Sequence, residues 1–200
     1  MAYSDFSLAK VSKTFDFKVL DRLNMFSDIP ELESSSFLEE TLLYTVPLAI
    51  SSNTEKARSE MIIAPILIEL RKQLNSEISF FSGIDFTIDA EKGLNGNCDF
   101  LISRSPELLI VTAPVVIIVE AKKENINGGL GQCVAEMLAA RIFNEREGNQ
   151  ISTIYGAVTS GTNWRFLKLK EQVIEIDLTE YYLRDVNKIL GILASVINSQ

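Results

Sequence analysis

The sequence predicts an α/β protein in which helices cover a mixed central sheet, and three observations carry that expectation. Val115-Val-Ile-Ile-Val119 is an unbroken β-branched run, the pattern of a strand buried on both faces. Ser52-Asn-Thr-Glu55 is a capping-box pattern and opens a stretch with apolar residues at helical spacing. Strand-like and helix-like segments then alternate to the end of the chain, which a layered α/β architecture requires.

In chain order, Phe15–Val19 alternates and reads as a short strand, and Ser36–Leu48 has helical spacing that ends near Pro47. Residues 1–50 read as an N-terminal extension packed on a core domain of residues 51–200. The first core helix runs from the Ser52 cap through Glu60, Ile63, Leu67 and Leu70 to about Leu74. Pro65 lies inside it, at a cost of about 3 kcal/mol unless the surroundings compensate. Ile84–Ile88 alternates as a strand, Gly93-Leu-Asn-Gly96 turns, and Cys98–Ser103 is a second strand. The loop at Ser105-Pro-Glu107 leads to Val115–Val119. Asn127-Gly-Gly129 breaks the chain ahead of a helix from Leu130 to about Glu147, closed by Gly148. Ile151–Val158, Trp164–Leu169 and Val173–Ile176 follow as strands, the last two joined as a hairpin at Glu171-Gln172. Asp177-Leu-Thr-Glu180 reads as a second capping box. The closing helix presents Leu183, Val186, Leu190, Leu193 and Ile197 on one face.

Composition narrows the chemistry. Of 200 residues, 46% are hydrophobic and 23% charged, which excludes a disordered chain. There is no histidine, so Ser-His-Asp and Cys-His catalysis, His-ligated zinc and His-ligated haem are removed. The net charge of −8 opposes attraction of a polyanion by the overall field. Cys98 and Cys133 are too few for a metal cage and read as free thiols of a reducing cytoplasm. Met1–Lys10 is polar, unlike a signal peptide. The longest apolar runs are interrupted by Pro65, Thr112 and Pro114 and fall short of the ~20 residues of a membrane span, so a cytoplasmic protein is expected.

The most informative feature is the end of the most hydrophobic strand, where Val119 runs directly into Glu120-Ala-Lys122. A carboxylate at the mouth of a central strand needs a partner, because burying it alone costs several kcal/mol. Strand period two puts Glu120 and Lys122 on one face. Asp99 opens a strand nearby, and two adjacent carboxylates repel unless a cation lies between them. Mg²⁺ or Mn²⁺ suits two carboxylates plus waters. Gln132 adds an amide in the next helix, whose Gly128-Gly129 start allows a close approach to the strand end. Each residue also has a plain structural role open to it. Glu120 and Lys122 can be a same-face ion pair, Asp99 a residue closing the Asn95–Cys98 turn, and Gln132 a surface or cap residue.

Glu60, then Asp99, then Glu120-Ala-Lys122, then a helix carrying Gln132, resembles the PD-(D/E)XK nuclease superfamily. The likeness covers about residues 52–178, and the whole chain is similar to a group of small cyanobacterial proteins of that superfamily. Thr159–Lys168, with Gly161, Asn163 and Trp164, resembles a strand-turn-strand of restriction-subunit relatives. The resemblance implies a restriction-endonuclease-like αβββαβ core with a mixed central sheet flanked by helices. It implies Asp99 and Glu120 as ligands of Mg²⁺ (or Mn²⁺), Lys122 as the catalytic lysine, Gln132 as a supporting residue and Glu60 as the first-helix carboxylate. Cys98 stands where the family motif has proline. The implied activity is metal-dependent hydrolysis of nucleic-acid phosphodiester bonds, chiefly DNA, by a chain that pairs as a homodimer or with a partner subunit. A non-catalytic interaction subunit of a nucleic-acid-processing complex and a hydrolase of small phosphate compounds are the rival classes. Around the site, Glu55 reads as the capping-box acid. Glu69, two and a half turns beyond Glu60, faces the other way. Glu136, one turn beyond Gln132, is an alternative lining residue. Trp164, Arg165 and Phe166 suit either base stacking or the core.

Overall fold

The computed structural model describes residues 1–199. Its strands form one eight-stranded mixed sheet: β1 (Lys18–Arg22), β2 (Ser79–Asp85), β3 (Asn97–Ser103), β4 (Val115–Ala121), β5 (Thr153–Thr159), β6 (Asn163–Lys170), β7 (Val173–Asp177) and β8 (Tyr181–Tyr182). The spatial order is β1-β7-β6-β5-β4-β3-β2, with β8 also on β6. β4 and β5 are parallel neighbours at the centre, so the chain must cross over between them. The crossover is α5 (Ile126–Arg146). β2-β3-β4 and β5-β6-β7 are antiparallel, and β1 lies parallel to β7 at the edge.

Helices cover both faces. On one, α5 packs with α1 (Leu8–Phe15) over Leu101, Ile118, Val158 and Leu167. On the other, α2 (Ser36–Ser52), α4 (Ala64–Gln73) and α6 (Val186–Asn198) cover Phe100, Val119, Trp164 and Phe166. All seven residues of β4 are buried, as its β-branched composition demands.

Several elements differ from the local pattern. Residues 1–50 contribute an edge strand and pack on both faces. β1 starts at Lys18 rather than Phe15, because Asp16 in the left-handed region (φ 56°) first ends α1. α2 continues five residues past Pro47. The first core helix is three pieces: α3 (Glu55–Arg58), a π-turn (Ser59–Ile63) and α4. The π-turn explains how Pro65 is accommodated. The wide turn bonds the Ala64 amide to the Ser59 carbonyl, and Pro65 falls in the first turn of α4, where a missing N–H costs least. The Met61 carbonyl, which an N–H at residue 65 would have met, accepts instead from Thr45 Oγ1 of α2 at 2.6 Å.

Asn127-Gly-Gly129 does not break the chain. It lies in the first turn of α5, capped by Asn125 Oδ1 on the Gly128 amide at 3.0 Å. Gly148, at φ 73°, ends that helix as expected. The second capping box does not form either. Asp177 is buried and accepts from the Met25 amide (3.1 Å), the Thr179 amide (3.0 Å) and the Tyr181 hydroxyl (2.9 Å), tying the N-terminal segment to the end of the sheet.

Candidate active site

The carboxyl end of β4 lies where two ladders finish. Toward β5, Glu120 pairs with Val158 and Ala121 with Thr159, and the Lys122 amide still bonds the Thr159 carbonyl at 2.8 Å. Toward β3, Phe100 pairs with Val119, and the next amide, that of Ala121, is met by the Asp99 carboxylate at 2.8 Å. Asp99 thus closes the β3–β4 ladder with its side chain, one step along from Val119 and beside Glu120.

Glu120 shares the α5-facing side of β4 with Ile118 and is fully buried. The Lys122 ammonium donates to Glu120 Oε1 and lies 3.4 Å from Gln132 Oε1. Gln132 Nε2 in turn donates to Glu136 Oε1 at 3.1 Å. The result is a continuous row, Glu120–Lys122–Gln132–Glu136, running from the strand end onto the first turns of α5. Gly129 makes the row possible, because a Cβ there would stand 3.0 Å from Lys122 Cγ and 2.8 Å from Val158 Cγ1. The glycine leaves room for the lysine stem.

The electrostatics follow from this crowding. Burial, then the Asp99 charge, pushes Glu120 up to about 8, against the pull of Lys122. Burial, then Glu120, pushes Glu136 well above the usual carboxylate range, against its bond from Gln132. Burial is the largest single influence on Lys122 and would lower it, but the charge and hydrogen bond of Glu120 with the charges of Glu55 and Asp99 together outweigh it and hold the ammonium above its ordinary value. Glu120 Oε2 and Glu136 Oε2 are buried with no hydrogen-bond partner. Unmet buried acceptors of this kind cost about 1–3 kcal/mol each, so the cluster favours a proton or a further cation. Among the described residues, no group of three or more His, Cys, Asp or Glu side chains converges as a ready-made metal cage. The Asp99–Glu120 pair, with its unpartnered oxygen, suits a hard dication completed by waters.

A cleft of about 320 Å³ lies in front of Asp99, lined by Glu55, Lys56, Ser59, Glu60, Ser82, Gly83, Asp99 and Phe100. Glu60 is exposed at its rim and pairs with Lys56 at 3.7 Å, apart from the buried row. Glu55 is not the capping acid. Thr54 Oγ1 caps α3 by accepting from the Ala57 amide at 3.0 Å, which frees Glu55 to line the cleft. Its charge reaches both Glu120 and Lys122. Glu69 faces away, buried on the Ser35 amide and hydroxyl at 3.0 and 2.8 Å. Glu136 is a full member of the row. Its sequence signal was a carboxylate one turn from Gln132 in a helix stretch otherwise made of apolar and small residues.

Trp164 and Phe166 are core residues, and Arg165 is held by Asn127 and Glu180, so base stacking is overturned for them. Cys98 and Cys133 are free and buried, with both thiols pushed up by burial. The basic side chains are spread out. Arg58 is buried on the Ser160 carbonyl, Arg71 holds the Ile78 carbonyl, and Lys168 pairs with Glu175. Lys56 alone offsets Glu55, Glu60 and Asp99 in the cleft lining. Among the described residues, no helix is long and apolar enough to cross a membrane.

No family model, curated protein or solved structure matches the chain.

Proposed function

We propose that the chain is a restriction-endonuclease-like, metal-dependent nuclease that hydrolyses nucleic-acid phosphodiester bonds at the carboxyl end of β4. The observation that supports this most is the Glu120–Lys122–Gln132–Glu136 row beside Asp99, buried at both its carboxylates and with one Glu120 oxygen unpartnered. Asp99 and Glu120 would hold Mg²⁺ or Mn²⁺. A bound ion would supply Lewis-acid polarisation of the phosphoryl group and an activated water. Lys122, steadied between Glu120 and Gln132, is the donor available to a phosphoryl oxygen. Gln132 fixes the direction of the ammonium. Glu120 and Glu136 are fully buried, which strengthens the interactions they make.

The acid-rich cleft bears on the substrate. A duplex reader gathers Lys and Arg along the backbone it neutralises, and the cleft lining holds one lysine against three carboxylates. A short or single-stranded segment, admitted together with the dication, fits this charge pattern better than long duplex DNA. The same observation favours a second reading, a non-catalytic interaction subunit of a nucleic-acid-processing complex.

The test is cleavage of single- and double-stranded DNA and RNA with Mg²⁺ or Mn²⁺, using wild type and Lys122→Ala. Cleavage that needs the dication and disappears in the variant, with the circular dichroism spectrum retained, supports the nuclease. A folded wild type that binds nucleic acid but cleaves none of these substrates supports the second reading. Turnover of a small phosphate compound alone would replace both.

A further inference from the structure

α2 carries two rows of side chains at one heptad-like spacing. The inner row is Leu38, Leu42, Thr45 and Ala49, and it packs into the core or bonds to it. The outer row, one residue earlier at each step, is Phe37, Thr41, Tyr44 and Leu48. Both rows follow i, i+4, i+7, i+11, the spacing of a helix seam. At 100° per residue, Phe37, Tyr44 and Leu48 fall within about 40° of one another. Yet Phe37 is 65% exposed, Tyr44 74% and Leu48 46%. Thr41 turns its hydroxyl back onto the Phe37 carbonyl at 2.7 Å, leaving its methyl to this face. A helix with two apolar faces about 100° apart packs on both, and among the described residues the chain supplies a neighbour for the inner one.

We propose that the outer face of α2 is the interface of a homodimer, packed antiparallel against α2 of a second copy of this chain. The shape of the face selects that occupant. Beside the N-terminal half of the row lies an apolar groove of about 330 Å³, formed by Phe37, Leu38 and Thr41 with Pro65 and Ile68 of α4. The C-terminal half is a ridge, made by Tyr44 and Leu48. A two-fold axis across the helix brings the ridge of each copy to the groove of the other, twice over, which is the self-match an isologous interface requires. Charge follows the same arrangement. Lys72 lines the groove with its ammonium 5.9 Å from the Phe37 ring, where it meets the negative C-terminal end of the opposing α2. Phe37, Tyr44, Leu48 and Ile68 present on the order of 100 Å² each, so these side chains of two copies cover about 800 Å² before rim atoms are counted, the size of a weak, concentration-dependent pairing. None of these residues belongs to the row at β4, so the dimer and the nuclease reading stand or fall separately.

Sedimentation equilibrium and light scattering test the mass at tens of micromolar protein. The wild type is expected at twice 22.3 kDa. Tyr44→Glu with Leu48→Glu, both exposed positions, is expected to weaken association at least about 100-fold while leaving circular dichroism unchanged. Orientation is read by oxidising variants with one added cysteine. An equal mixture of Thr41→Cys and Tyr44→Cys should give a crosslink between the two variants, with little within either alone. The buried Cys98 and Cys133 do not compete. A monomeric wild type, a dimer that survives the double glutamate variant, or crosslinking confined to each variant alone would overturn the proposal.

Discussion

Glu120→Gln should invert the usual cost of altering a buried site residue, stabilising the protein in mildly alkaline solution. Glu120 rises from 4.5 to about 8 in the fold, a span of about 3.5 pH units. A carboxyl group raised in this way holds a proton that the unfolded chain has already lost. Its contribution is therefore complete below pH 4.5 and lost as pH climbs to about 8. At about 1.4 kcal/mol per unit, Glu120 alone changes stability by at most about 5 kcal/mol over that window. In a chain of this size each kcal/mol moves the melting temperature by about 2–4 °C, so the upper bound is about 10–20 °C. Glutamine keeps the shape and stays neutral, so the variant should lose most of this slope and melt above wild type at pH 8. Glu136 shifts in the same direction and leaves a residual slope in the single variant. Lys122 does not enter the window, because a group raised above 10.5 contributes fully at every pH below that. The assay is thermal or urea unfolding from pH 5 to 8.5, with Glu60→Gln as the exposed control for overall charge. Parallel profiles for wild type and Glu120→Gln would refute the account of Glu120 as a strained buried acid.

Three further outcomes follow from the same geometry. Mg²⁺ or Mn²⁺ should raise the melting temperature more at pH 8 than at pH 5.5, by about 2.7 kcal/mol of stability at one hundred times the dissociation constant, and Asp99→Asn should remove the effect in the same melts. Gly129→Ala should fold but displace the Lys122 stem, because the new methyl meets Lys122 Cγ at 3.0 Å. Loss of cleavage with less than about 2 kcal/mol of destabilisation in urea is expected, and unchanged cleavage would show that the lysine is not held by this contact. Asp177→Ala strands the Met25 and Thr179 amides and the Tyr181 hydroxyl, so its urea midpoint should fall by the equivalent of about 3 kcal/mol or more.

What could be read in advance depended on whether the cause was local. β4 was legible because burial on both faces is written into Val115–Val119 itself, and Glu120 stood out against it. The start of α5 was not. Glycine costs a helix about 1 kcal/mol per residue, so Gly128-Gly129 reads as a break. Two tertiary requirements override that preference. A Cβ at Gly131 would come within 2.2 Å of the Ser7 carbonyl carbon, and one at Gly129 would press on Lys122. β1 was misplaced for a similar reason, since its partner β7 lies about 150 residues away and nothing near Lys18 announces it. Glu55 was read as the acid of a capping box opened by Ser52, whereas Thr54 is the cap, and a two-residue shift in a cap changes which way a carboxylate points.

The same distinction bears on the charge of −8. Taken as an overall quantity it opposes a polyanion. Taken by position, much of it near the site is concentrated: Glu55, Asp99, Glu120 and Glu136 all act on the ammonium of Lys122 or on one another. A cluster with more acid than base draws in a cation before it accepts an anion. Under the proposed function, nucleic acid and dication should therefore bind as a coupled pair, each raising the affinity for the other by one shared factor. The lack of histidine fits the same logic, because the proton inventory of the site rests on Glu120 and Glu136, which burial holds above the usual carboxylate range. Glu120, at about 8, stands in the pH range that histidine would otherwise occupy.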